Sequence, residues 1–186
     1  MALGWLLKCP PLAQFRWDLC DALLGIAASV PMLLLFFACI RWPFGPLAKI
    51  KRVAEDFIRP LFAGATVLEL ALLSFAAGIG EEMLFRGLAQ PLLARSIGIV
   101  GGVAVASLLF GLLHPLTAAY VLLAGAIGAY LGWLTIASGN LLCPILAHGF
   151  YDWVALIVLL RQRGGLMPRA EPAAAEESPA IPPPMP

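Results

Sequence analysis

Charged side chains are scarce in this sequence. Only 12% of its 186 residues are Asp, Glu, Lys or Arg, whereas soluble domains average about 25%. Hydrophobic residues make up 61% of the chain and the mean hydropathy is +0.92, which is more apolar surface than a soluble core of this size can enclose. The net charge of +1 lacks the basic excess of nucleic-acid-binding domains. The composition therefore predicts an integral membrane protein whose main partner is the lipid bilayer. It predicts no nucleic-acid partner.

Close cysteine pairs are also absent. The chain has four cysteines, none of them in a CxxC motif: Cys9, Cys20, Cys39 and Cys143. This excludes a paired-cysteine metal or redox site of the usual spacing. We interpret the cysteines as small apolar residues that pack inside helices.

The two ends of the chain differ from its apolar middle. In residues 1–20 a short apolar patch is broken by Lys8, two prolines and Arg16, and the aromatic residues favour an interfacial segment over a signal peptide. Residues 164–186 are rich in Pro, Ala and Glu and predict a disordered tail. We expect a transmembrane domain at 21–163, with its motifs at 61–160.

Apolar stretches long enough to approach the ~20 residues of a membrane-spanning helix occur along this domain. The predicted fold is an all-α, polytopic bundle of about five spans, with one long helix that carries a glutamate pair. The segments are 22–40, one from about 61 into the glutamate pair, 99–113, 118–137 and 141–160. Five basic residues separate the first two spans and predict a cytoplasmic loop there: Arg41, Lys49, Lys51, Arg52 and Arg59.

Ionisable residues inside such spans are costly, so each is a functional hypothesis. They are Glu69, Glu81, Glu82, Arg86, His114, His148 and Asp152, and they include both histidines of the chain. We assign no chemistry to Glu69. The others also have structural interpretations: an ion pair of Glu82 with Arg86, a polar helix end at His114, and a local His148–Asp152 hydrogen bond.

Helical rise indicates that several of these groups meet. If the chain reverses at residues 96–98, Glu81 lies about 21 Å before the turn and His114 about 22 Å after it. His148 and Asp152 are four residues apart and share one face of the last helix. They lie about 10 and 16 Å into that helix, at a similar depth.

This constellation suits hydrolysis of an amide. A carboxylate beside a histidine can hold and deprotonate a water molecule, and a second histidine can stabilise an oxyanion. Two histidines and one carboxylate could instead bind zinc. The residue types alone leave both mechanisms open.

Three motifs carry a resemblance to a known family. EEMLFR at 81–86, FGLLH at 110–114 and HGFYD at 148–152 match the patterns EExxxR, FxxxH and HxxxN or HxxxD in order. The chain thereby resembles the CPBP intramembrane proteases, which include prenyl-protein endoproteases and relatives involved in bacteriocin immunity. The resemblance implies an intramembrane endopeptidase in a membrane such as the bacterial plasma membrane, acting on a membrane-anchored or prenylated C-terminal peptide.

The resemblance also implies roles for the residues. Glu81 and His114 would activate the water, while His148 and Asp152 would line the site. Arg86 would hold Glu82, with Phe110 as a further supporting residue. No cofactor is favoured; the alternative is Zn²⁺ bound by His114, His148 and either Asp152 or Glu81.

Two other functions stay open at this point. A non-catalytic immunity or scaffold protein could keep the same residues as a polar bundle core. A proton-coupled carrier could use Glu and His as a relay, although the paired repeats expected of carriers are not evident in the sequence.

Overall fold

The computed structural model describes residues 8–161, and every regular element in that range is helical. This confirms the predicted all-α class. The main helices are α1 (Leu19–Arg41), α2 (Pro46–Val53), α3 (Val67–Leu84), α4 (Gln90–Leu112), α5 (Ala118–Ser138) and α6 (Leu142–Arg161). A π-helical segment, Phe85–Ala89, joins α3 to α4. The predicted disordered tail lies outside the described residues, as does part of the predicted interfacial segment.

Four helices are long and apolar enough to cross a membrane: Leu19–Arg41, Val67–Leu112, Ala118–Ser138 and Leu142–Arg161. They confirm a polytopic bundle, and their ends lie close to the predicted ones in α1, α5 and α6. The second and third predicted spans fall together in the continuous helical run Val67–Leu112. The described residues therefore hold four candidate spanning helices where the sequence predicted about five spans.

That long run reverses direction at Gly98, within the predicted turn. Gly98 has φ +77° and ψ 167°, a conformation that glycine adopts without the steric cost of a Cβ. After the reversal the backbone of Gly102 lies against Gln90 and Ala94. The second arm is shorter than the ~20 residues of a full span, yet it brings Phe110 back beside Phe85, with ring centroids 5.0 Å apart.

The glutamate-bearing helix begins at Val67, later than the predicted start near residue 61. Thr66 ends the preceding loop as a capping box: its hydroxyl accepts from the Glu69 backbone N–H, and the Glu69 carboxylate accepts from the Thr66 backbone N–H at 2.8 Å. Two N-terminal N–H groups are satisfied in this way. Glu69, to which we assigned no chemistry, thus serves as a helix cap.

The basic connection between the first two spans is largely helical, which the search for spans did not predict. It contains α2, which continues through the π-helical segment Ala54–Ile58 and the helical turn Arg59–Leu61. Pro46 at the start of α2 fixes a helical φ without leaving an N–H unsatisfied. Apolar and charged residues alternate at helical spacing here, a pattern that a search for long apolar runs overlooks.

Helix packing brings the three functional motifs together. α6 packs against both α1 and α3, while α4 packs against α5. The centre of the bundle contains Leu131, Cys143 and Ala147, all fully buried. A second cluster, Phe85, Phe110 and Ala124, joins α4 to α5 beside the motifs.

Gly111 permits the close approach of α4 and α5. A Cβ at this position would clash with the carbonyl oxygen of Val121 and lie 3.0 Å from the backbone nitrogen of Gly125. Because both neighbours are backbone atoms, they cannot move aside without shifting a helix. Gly125, in the same interface, has room: its Cβ would meet the Ser107 carbonyl oxygen at an ordinary 3.5 Å.

We therefore expect Gly111→Ala to destabilise the bundle by about 1–3 kcal/mol, the usual cost of overpacking a core. The matched control, Gly125→Ala, should leave the thermal midpoint in detergent unchanged or higher, since Ala favours a helix over Gly. Equal midpoints for the two variants would show that the α4–α5 contact is looser than described.

Candidate active site

A buried glutamate lies at the centre of the site. Glu82 on α3 has no exposed surface, and its Oε1 accepts two hydrogen bonds of 2.8 Å, one from Arg86 Nη1 and one from His148 Nδ1. Charge-assisted bonds of this length are among the strongest in proteins. The carboxylate of Glu82 therefore links the first motif to the third.

Arg86 is held from three sides. Its side chain is 1% exposed, and besides Glu82 it donates through Nη2 to the carbonyl oxygen of Gly128 on α5 at 2.8 Å. The guanidinium also lies over the ring of Phe110, 4.7 Å from its centroid, where the ring's quadrupole attracts a cation. Arg86 lies in the π-helical segment Phe85–Ala89, the kind of helix irregularity that is frequent at functional sites.

Glu81 borders a cavity, unlike the adjacent Glu82, which is fully buried. Its side chain is 34% exposed. Its Oε2 lies 3.7 Å from Nε2 of His114 and 4.0 Å from Nε2 of His148. This oxygen is buried and makes no hydrogen bond with the described residues. It is thus an acceptor aimed between two imidazoles at distances that one water molecule can bridge.

The tautomer of His114 follows from a backbone contact. Its Nδ1 lies 2.7 Å from the carbonyl oxygen of Phe110, and a carbonyl only accepts, so Nδ1 carries the hydrogen. In the neutral ring Nε2 is then a lone-pair acceptor that faces Glu81. The ring also packs on Phe110, with centroids 4.5 Å apart, which fixes its orientation.

His148 is surrounded by carboxylates. Its Nδ1 donates to Glu82, while its Nε2 lies 3.3 Å from Oδ2 of Asp152. With both carboxylates ionised, both ring nitrogens must carry hydrogens and the ring is a cation. His148 is buried, and Gly149 next to it lies against the ring of Phe75. The imidazole is therefore fixed by its hydrogen bond to Glu82 and its ion pair with Asp152.

A cavity of about 570 Å³ opens beside these groups. Glu81, His114, His148 and Asp152 all line it. Most of its remaining wall is apolar and comes from α1, α5, α6, and α2 with the π-helical segment that follows it. It includes Leu35, Phe36, Ile40, Ile58, Leu123 and Leu156. Cavities of this size, apolar with a few convergent polar groups, are typical of small-molecule and peptide sites.

A metal ion at this site would compete with the contacts of His148 to Glu82 and Asp152. Among residues 8–161, no three His, Cys, Asp or Glu side chains are grouped closely enough to hold one. Zinc requires ligand nitrogens at about 2.0–2.1 Å. Nε2 of His148 faces Asp152, and Nδ1 is engaged by Glu82. Zinc binding by the two histidines and a carboxylate would thus require these side chains to draw together.

All the residues predicted from the sequence meet in this region. The structure brings Glu81, His114, His148 and Asp152 to one cavity wall, and it places Glu82, Arg86 and Phe110 behind them. It contains each structural contact foreseen for these residues: the Glu82–Arg86 pair and the His148–Asp152 contact. Their catalytic roles remain predictions.

Two contacts were missed in the sequence. The first is the bond from His148 on α6 to Glu82 on α3, two residues that are 66 positions apart in the sequence. The second is the carbonyl of Gly128, which accepts from Arg86. The Gly128 contact could not be predicted, because every residue has a backbone carbonyl. The His148–Glu82 bond had a signal in the sequence, since two adjacent glutamates on one helix point in different directions.

Loss of Arg86 should destabilise the protein. Arg86→Ala removes the arginine from the fully buried Glu82 carboxylate and leaves His148 as its one described hydrogen-bond partner. Breaking a buried pair in this way costs about 3–5 kcal/mol. The thermal midpoint of the purified variant should fall clearly. Arg41→Ala, which removes an exposed arginine at the end of α1, should change it little. An unchanged midpoint for Arg86→Ala would contradict the pairing.

Comparison with known proteins agrees with the motifs. A family model described as type II CAAX prenyl endopeptidase, Rce1-like, matches residues 63–154. The matched segment contains all three motifs and confirms the resemblance to the CPBP family. No curated protein and no solved structure matched the chain.

Proposed function

We propose that this chain, whose residues 63–154 match the Rce1-like family of type II CAAX prenyl endopeptidases, is an intramembrane endopeptidase in which Glu81 and His114 activate water. The family and the four apolar helices make it an integral membrane protein of CAAX-protease type. The proposal concerns the chemistry of its site, its dependence on metal and its substrate.

One observation carries the proposal: Glu81 Oε2 lies 3.7 Å from Nε2 of His114. In the neutral ring, with the hydrogen on Nδ1, both atoms are acceptors. A water molecule between them can donate one hydrogen to each. Its lone pairs then point away from both acceptors, toward the cavity. General bases act within hydrogen-bond reach of the proton they remove, directly or through one water.

His148 and Asp152 are proposed to lie beside the substrate carbonyl oxygen, which takes up negative charge during attack. When the water oxygen bonds to the carbonyl carbon, the carbonyl oxygen becomes an oxyanion. A cationic His148 next to that oxygen stabilises it through its positive charge, while its two N–H groups face Glu82 and Asp152. Glu82 holds the ring from the far side at 2.8 Å, so its orientation does not have to change during reaction.

Proton transfers complete the reaction. Glu81 takes the proton of the attacking water as the new C–O bond forms. The tetrahedral intermediate then collapses, the C–N bond breaks, and the proton moves from Glu81 to the departing amine. Water is consumed, one acid and one amine are released, and no covalent enzyme intermediate is formed.

The proposed substrate is a membrane-associated protein or peptide that ends in a CAAX-type sequence, prenylated at its cysteine. The apolar wall of the cavity favours such a ligand, because aliphatic side chains and an isoprenoid both gain from leaving water. The catalytic groups lie in the same cavity, so an apolar chain seated there places a peptide bond beside them.

Replacing Glu81 tests the proposal. Glu81→Gln keeps the size of the side chain but removes the base, so cleavage of a prenylated CAAX peptide should fall by at least about 10²-fold. Membrane abundance and thermal midpoint should stay close to those of the parent, as should the activity of the exposed control Asp56→Asn. Undiminished function in a folded Glu81→Gln protein would favour a non-catalytic scaffold.

Metal dependence is tested by chelation together with Asp152→Asn. We expect activity to survive exhaustive chelation. Asp152→Asn should keep substantial activity, since an amide still contacts His148 and can donate to an oxyanion. Activity lost on chelation and restored by zinc, together with an inactive, metal-depleted Asp152→Asn variant, would assign a zinc mechanism.

A further inference from the structure

We infer that Lys51 on α2 binds the free C-terminal carboxylate of the substrate and so directs the enzyme to chain ends. This rests on the proposed function, because it requires a substrate in the cavity. Lys51 lies in a segment that none of the three motifs covers, outside the match at 63–154.

Helix α2 forms one wall of the catalytic cavity. Ile50 and Lys51 on α2 line the cavity that holds Glu81, together with Ala54, Glu55 and Ile58 of the π-helical segment that continues α2. Spacings of three and four residues place these side chains on one side of a helix. Lys49, Arg52 and Asp56 are exposed. α2 is thus amphipathic, and it packs against α1 and α5. Its residue Lys51 places a cationic side chain at the cavity.

Charge makes Lys51 distinctive. Among the described residues that line the cavity it is the single Lys or Arg, alongside the carboxylates of Glu55, Glu81 and Asp152. No salt bridge within residues 8–161 engages it. A partly buried ammonium in an apolar wall interacts strongly with any carboxylate that enters. The cavity carboxylates would otherwise repel the negatively charged end of a peptide.

The substrate class provides such a carboxylate close to the scissile bond. A CAAX sequence ends its chain, so a peptide bond that follows the cysteine is three residues from the terminal carboxylate. Three extended residues span about 10 Å. The terminal carboxylate therefore stays within the same cavity as the scissile bond. Lys51 is the single Lys or Arg among the described residues that line this cavity, and His148 already faces Glu82 and Asp152.

Lys51 could instead contact lipid phosphate, as basic residues near membrane surfaces do. That role would alter the activity toward every substrate alike, because it acts through the protein's seating in the bilayer. Recognition of a carboxylate alters activity only toward substrates that possess one. The two roles therefore separate by comparing an acid with its amide.

The test uses two prenylated CAAX peptides, identical except for a free C-terminal carboxylate or a C-terminal amide, with purified enzyme in vesicles of fixed composition. The parent should cleave the acid with a kcat/KM about tenfold above that of the amide, as expected for a hydrogen bond to a charged group. Lys51→Gln should abolish this preference by lowering kcat/KM for the acid alone. Lys51→Arg should restore it, and the exposed Lys49→Gln should retain it.

The experiment distinguishes failure of the Lys51 assignment from failure of the proposed function. If the parent cleaves acid and amide equally, or if Lys51→Gln lowers both to the same extent, the assignment of Lys51 is overturned while the peptidase stands. If the parent cleaves neither peptide, the proposed function fails and the inference fails with it.

Discussion

The Glu82 carboxylate and its two hydrogen-bonded partners are the constraint on which the site depends. A fully buried carboxylate is costly unless it is paired and hydrogen-bonded, and here a single oxygen accepts from both Arg86 and His148. The bond from His148 joins α6 to α3. Arg86 in turn reaches the backbone of α5 and the face of Phe110 on α4. Four helices thus meet around one charge.

That arrangement explains why the chain carries two adjacent glutamates. Successive residues on a helix point about 100° apart, so Glu82 turns into the bundle while Glu81 turns to the cavity. The inner carboxylate positions His148, and the outer one is left to face His114. Structure and chemistry are therefore divided between neighbouring side chains of the same type, and exchanging their roles would require rotation of α3.

Much of this architecture could be predicted from the sequence. Apolar runs marked the long helices, because a membrane span needs about 20 mainly apolar residues. Charges at membrane depth marked the site, because they are costly there and so indicate function. Helical rise placed Glu81 level with His114. Three features escaped prediction: α2, whose short amphipathic pattern resembles a basic loop; the His148–Glu82 bond, which depends on how α6 rotates against α3; and the Gly128 carbonyl, since every residue has one. Each is decided by tertiary packing.

The central claim is that Glu81 and His114 together hold the reacting water. An experimentally determined structure of the protein in a lipid bilayer, at a resolution that shows ordered water, tests it most directly when metal content is measured on the same preparation. We predict one water molecule within hydrogen-bond distance of both Glu81 Oε2 and His114 Nε2, and no stoichiometric zinc. A zinc ion bound by His114 and His148, or a Glu81 carboxylate turned away from His114, would contradict the account.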